Sequence, residues 1–214
     1  MSGIKNYQVS DQKDLEKITT NLTQDKVDRF YPVWFTEHRV NFSTQNGKRV
    51  IFRFERPGYI GTLVGSGQEA HYFGSSHVAE AEPMGTELAK TYPGLEINRD
   101  SDSNSIGNVT KRLLQGKRVT DVSVMMGDGS QPDYVKVGVE DGSYGVVAFK
   151  PGTLVAIQYS DQEGKKIFGV EGKDVGHKRL NIAFSAESGQ DGIYTEPVKD
   201  PVYKLPNFSQ HKKG

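Results

Sequence analysis

The stretch "VNFSTQNGKRVIFRF", residues 40–54, constrains this chain more than any other. Val40 and Phe42 alternate with polar neighbours before the turn, and Val50, Phe52 and Phe54 alternate after it. Asn46-Gly47 between them is a favoured pair for a two-residue hairpin turn. A side-chain period of two belongs to strands with one buried face. The opposite face carries Arg39, Asn41, Arg49, Ile51, Arg53 and Glu55. That basic stripe reads first as solvated strand residues paired across the sheet. The sharper reading is a sheet face that meets an anion.

The same short period returns late in the chain. "RVTDVSVMM", "DYVKVGVE", "YGVVAFK", "TLVAIQYS" and "KIFGVEG" are five short strands separated by "GDGSQP", "DGS", "PG" and "DQEG". Such spacing predicts an antiparallel meander forming a small barrel or sandwich. Between hairpin and meander, "GYIGTLVGSG", "EAHYFG" and "LEINRD" read as strands. "EPMGTELAKTYPG" reads as a short helix with Pro83 in its first turn, and a second helix runs from about Ile106 to Gln115, stopped by Gly116. At the other end, residues 10–31 show Leu15, Ile18, Leu22 and Val27 at helical spacing, which predicts one amphipathic helix ended by Tyr31-Pro32, with a break near Thr19-Thr20-Asn21 tolerated.

The expected fold class is therefore α+β: an N-terminal helix, a β-hairpin region with short helices, and a C-terminal antiparallel β meander. Residues 1–9 are expected to be a flexible arm and 186–214 an extended tail. The least costly boundary falls near Asp100 to Ser105, giving either two units, 10–104 and 105–185, or a single domain over 10–185.

Composition removes several functions. The absence of cysteine excludes disulfides, thiolate nucleophiles and cysteine-ligated metals, so any metal must use His, Asp or Glu. Lysine plus arginine equals aspartate plus glutamate at 27 each, so no global field draws the chain to nucleic acid or to an anionic membrane. No nucleic-acid partner is expected, and such a role would need a local patch. No run of roughly 20 apolar residues predicts a membrane span. The start "MSG" shows no secretory leader. Location reads as cytoplasmic or virion, or as extracellular or cell envelope if a leader has been removed.

Chemistry-bearing residues gather in "EAHYFGSSHVAEAE", residues 69–82. Glu69 and His71 sit two apart on a strand, but Gly74-Ser75-Ser76 interrupts it before His77. His71, His77, Glu80 and Asp100 form the candidate metal set, though no recognised ligand spacing joins them. Asp100, Asp102 and Asn104 resemble the start of a calcium loop, yet Ser105 and Lys111 stand where glycine and glutamate are needed. Helix capping explains them better. Ser66 in "VGSGQ" lacks the nucleophile-elbow spacing. Tyr59, Tyr72, Tyr134 and Tyr144 lie at strand ends or beside glycines and are candidate contact surface for protein, peptide or carbohydrate.

The function expected from these features is a non-enzymatic binding or structural module with no cofactor. The alternative is a hydrolase using the His and carboxylate groups around 69–82. Convergence of those groups in one concave site would favour the hydrolase.

Overall fold

The computed structural model describes residues 19–34, 37–54, 58–99, 103–125, 127, 131–160, 166–168 and 202–209. Among the described residues, eleven strands form two sheets. The five-stranded sheet has the order β1-β2-β3-β10-β11, from Val27–Val33, Arg39–Thr44, Arg49–Phe54, Leu154–Ser160 and Lys166–Phe168. The six-stranded sheet has the order β6-β5-β4-β9-β8-β7, from Glu96–Arg99, Ala70–Gly74, Tyr59–Gly65, Tyr144–Phe149, Asp133–Val139 and Val119–Met125. Every strand pair is antiparallel except β5 with β6, which the helix α1 (Ala81–Thr91) joins as a crossover. The second helix, α2, spans Ser103–Leu114. No barrel closes among the described residues, and the architecture is sandwich-like. No described helix is long and apolar enough to cross a membrane.

Two cores follow from strand alternation. Val40, Phe42, Val50, Phe52 and Ile157 from one sheet meet Val64, Val135, Val137 and Val147 from the other. Leu113 and Leu114 of α2 join that core, and the helix contacts β1, β4 and β9. The alternate residues Ile60, Leu63, Tyr72, Tyr144 and Val146 face away from it into a second core beneath Met84 and Leu88 of α1. Residues 202–209, part of the expected tail, add Tyr203 and Leu205 to this second core.

The N-terminal helix is shorter than the sequence suggests. Residues 19–22 are helical, Gln24 takes a left-handed conformation (φ +81°), and β1 begins at Val27. Residues 10–18 and the arm 1–9 lie outside the described residues. A bulge between Val27 and Arg29 explains the difference. The extra residue puts the inward-facing Val27 and Phe30 three positions apart, which imitates a helical period in a strand. Pro32 fits an edge strand, where a missing N–H costs least.

The hairpin turn also differs. Thr44 donates to the Lys48 carbonyl at 2.9 Å, so the loop has three residues rather than two, and only Gly47 (φ +88°) has a positive φ in it. A type I turn closed by a left-handed glycine gives this geometry. Gly47→Val should therefore cost more than about 1 kcal/mol, because a β-branched residue is strained there. An unchanged urea midpoint would contradict this.

The meander is divided between the sheets. β7, β8 and β9 stay together, but β10 leaves to pair with β3, and β9 pairs with β4. The reason lies at the corner, residues 150–153. The buried Asp133 carboxylate accepts from the backbone N–H of Gly152 at 2.9 Å and Leu154 at 3.4 Å, and from Gly127 at 2.8 Å. Those bonds fix a corner instead of a hairpin. α1 starts at Ala81, two residues before Pro83, and α2 at Ser103. Gly116 (φ +79°) follows the end of α2, as glycine placement predicts.

Candidate anion-binding face

Three rows of side chains cross the outward face of the five-stranded sheet. Register pairs Arg29 with Ser43 and Ser43 with Arg49; two residues along, Tyr31 with Asn41 and Asn41 with Ile51; then Val33 with Arg39 and Arg39 with Arg53. Gln158 of β10 extends the middle row beside Ile51. Neighbouring strands lie about 4.8 Å apart and the outer rows about 13 Å apart. Arg39 and Arg53 are thus directly opposite like charges, an arrangement that weakens a sheet.

A depression of about 270 Å³ opens between the rows, with Asn41 and Ile51, each 9% exposed, among the residues that line it. Arg39 reaches Glu37 at 2.6 Å, yet its Nε is buried without a hydrogen-bond partner among the described residues. Arg29, Arg49 and Arg53 make no ion pair with any described residue. Asp28 is the one carboxylate lining the depression, and it accepts from Ser43 at 3.1 Å. On β1, β2 and β3 the four arginines set against Asp28 and Glu37 give a local net charge of about +2, with Glu55 outside the described residues, on a chain that is neutral overall.

A larger groove of about 720 Å³ lies over the edge of β1, against α2. It shares Asp28, Arg29 and Tyr31 with the depression, and its far wall presents Asn104, Asn108, Lys111 and Gln115. A methyl group added at Gly107 on this wall would meet nothing within 4 Å. The sequence pattern places Arg39, Asn41, Arg49, Ile51, Arg53 and Glu55 on one face, of which Glu55 lies outside the described residues. The pattern missed Arg29 and Tyr31, which it assigned to a helix. The bulge hid them.

The groups singled out around 69–82 do not converge. His71, 9% exposed, has Nε2 at 2.8 Å from Glu69 and Nδ1 at 3.2 Å from Glu96 of β6. Arg112 of α2 grips Glu69 with both terminal nitrogens, one of them at 3.0 Å. The result is a polar clamp from helix to sheet. Arg112, and after it His71, hold the Glu69 carboxyl down at about 2, so the clamp's contribution is present above the ordinary Glu range and is lost as the pH falls towards that value. Glu80 faces Lys150 at 3.2 Å, while His77 is exposed, its backbone N–H donating to Ser75. Asp100 and Asp102 lie outside the described residues. No group of three His, Asp or Glu side chains suited to a metal occurs among the described residues.

The four tyrosines are core residues rather than surface. Tyr72 fills a hole made by glycines: a Cβ at Gly61 would come within 2.6 Å of its ring, and one at Gly85 within 2.9 Å. Its hydroxyl donates to the Ala81 carbonyl at 2.7 Å. Tyr144 occupies the space over Gly65 in the same way. Tyr59 stacks on Trp34, with centroids 5.1 Å apart, and its hydroxyl lies 2.7 Å from that of Thr62. Tyr134 and Tyr144 pack against Phe208, so their contact surface is taken by the chain's own residues.

Compared with known protein families, curated proteins and solved structures, the chain matches none.

Proposed function

We propose that this chain is a non-enzymatic binding module that takes an anionic ligand on the outward face of the five-stranded sheet. One observation carries the reading: Arg39 and Arg53 are held directly opposite each other, and the Nε of Arg39 is buried with no described partner. Like charges in register cost stability unless something answers them. Guanidinium groups are the cations best matched to planar, bidentate anions. The dispersal of His71, Glu80 and His77 among separate partners supports a module over a hydrolase.

Calorimetric titration with inorganic polyphosphate tests the reading. Arg53→Gln should weaken binding at least tenfold, as expected for a charge-assisted contact. The same change should leave stability unaltered or raise it by up to about 0.5 kcal/mol, because it removes a repulsion. Loss of stability with unchanged affinity would assign the arginines a purely structural role.

A further inference from the structure

We infer that the anion met by this face is the backbone of a single-stranded nucleic acid, which crosses the three rows with a base over Tyr31 and Ile51 and continues past β1 into the groove beside α2. The inference rests on the anion-binding reading above. Three features select this ligand from other polyanions. First, the cations are of one kind. The chain has eighteen lysines and nine arginines, yet the four cations that β1, β2 and β3 place on this face are all arginine, the side chain that both grips phosphate and stacks on bases.

Second, the row between the two cationic rows is uncharged and contains a ring, an amide and an aliphatic side chain: Tyr31, Asn41 and Ile51. A bare polyphosphate has no use for such a row, and a sulfated sugar brings no flat π face to stack on the ring. A strand of nucleotides does, because each base has a flat face to stack and polar edges for an amide. Third, the adjoining groove offers Asn104, Asn108 and Gln115 with one lysine, Lys111. Amides suit base edges and sugar hydroxyls, and a single cation suits one further phosphate. Asp28, shared by both depressions, repels phosphate, so the backbone must pass on the Arg29 side.

Fluorescence anisotropy with labelled ten-nucleotide oligo(dT) and oligo(U), set beside polyphosphate and heparin, tests this on the full chain. Tyr31→Ala should weaken oligonucleotide binding at least fivefold and leave polyphosphate affinity within about twofold, since a ring contributes little to a bare anion. Tyr31→Phe should restore oligonucleotide binding. The logarithm of the binding constant should fall with log salt at a slope of about −3 for four phosphate contacts, and Arg53→Gln should reduce that slope by about 0.7. If Tyr31→Ala and Tyr31→Phe bind the oligonucleotides like wild type, or if heparin and polyphosphate bind and the oligonucleotides do not, the nucleic-acid inference is overturned. The anion-binding reading survives either result so long as Arg53→Gln weakens polyphosphate. If Arg53→Gln changes neither ligand, both fall.

Discussion

Tyr72→Ala is expected to cost about 4 kcal/mol, the scale for emptying a large aromatic core position, out of the roughly 5–15 kcal/mol that holds a domain folded. The ring is 1% exposed and rests on glycines of three elements: Gly61 of β4, Gly74 at the end of β5 and Gly85 of α1. None of these has a side chain that can collapse into the space. Tyr72→Phe keeps the ring and should cost only about 1 kcal/mol for the hydrogen bond to Ala81. A double-mutant cycle isolates the packing. In the wild type, Gly85→Ala pushes a methyl group to 2.9 Å from the ring and should destabilise by about 1–3 kcal/mol. In the Tyr72→Ala background the clash is gone, and the helix-interior alanine should stabilise by up to about 1 kcal/mol. Urea denaturation of the four proteins measures the sign change. An equal cost for Gly85→Ala in both backgrounds would show that the ring and the glycine do not share this space.

That packing was not legible in the sequence, although each residue was. Tyr72 stands out beside Gly74, but Gly61 and Gly85 are eleven and thirteen positions away. Only the β4–β5 register and the crossover helix bring them under one ring. Period-two patterning did locate β2, β3 and β7–β10, because alternation is a local consequence of one buried face. It could not say which sheet each strand joins. β10 reads like its predecessors in the meander, and its departure depends on a buried carboxylate twenty-one positions before Leu154.

The candidate face shows the same division between local and non-local information. Arg39, Arg49 and Arg53 were visible on one side of a hairpin whose alternation has no competitor. Arg29 and Tyr31 were not, because a bulge at Asp28 spaces Val27 and Phe30 as a helix would. Without them the stripe reads as two strands of solvated charge on a neutral chain. With them it becomes three rows beside a groove. Net charge is a whole-chain average and is silent about a patch on one sheet.

Wild-type stability is expected to fall by about 2–3 kcal/mol between pH 5 and pH 8 on account of Asp133 alone. Burial pushes this carboxyl up to about 7, against the pull of the backbone N–H groups of Gly127, Leu154, Gly152 and Thr153. An acid whose folded pKa lies above its unfolded value holds its proton more tightly when folded. Its contribution is therefore complete below the ordinary Asp range and is lost as the pH rises through about 7. Asp133→Asn removes that titration. It also turns an NH2 group towards backbone donors, at a cost of about 1–3 kcal/mol that does not depend on pH. The variant should accordingly be clearly less stable than wild type at pH 5 and close to it at pH 8. Every other ionisable group is common to both proteins and cancels in the comparison. Urea denaturation at the two pH values decides the matter, and parallel losses in the two proteins would refute it. Because Asp133 pins the corner at which the chain crosses from the six-stranded to the five-stranded sheet, the pairing of β10 with β3 should exchange its amide hydrogens faster at pH 8 than the intrinsic rate increase explains.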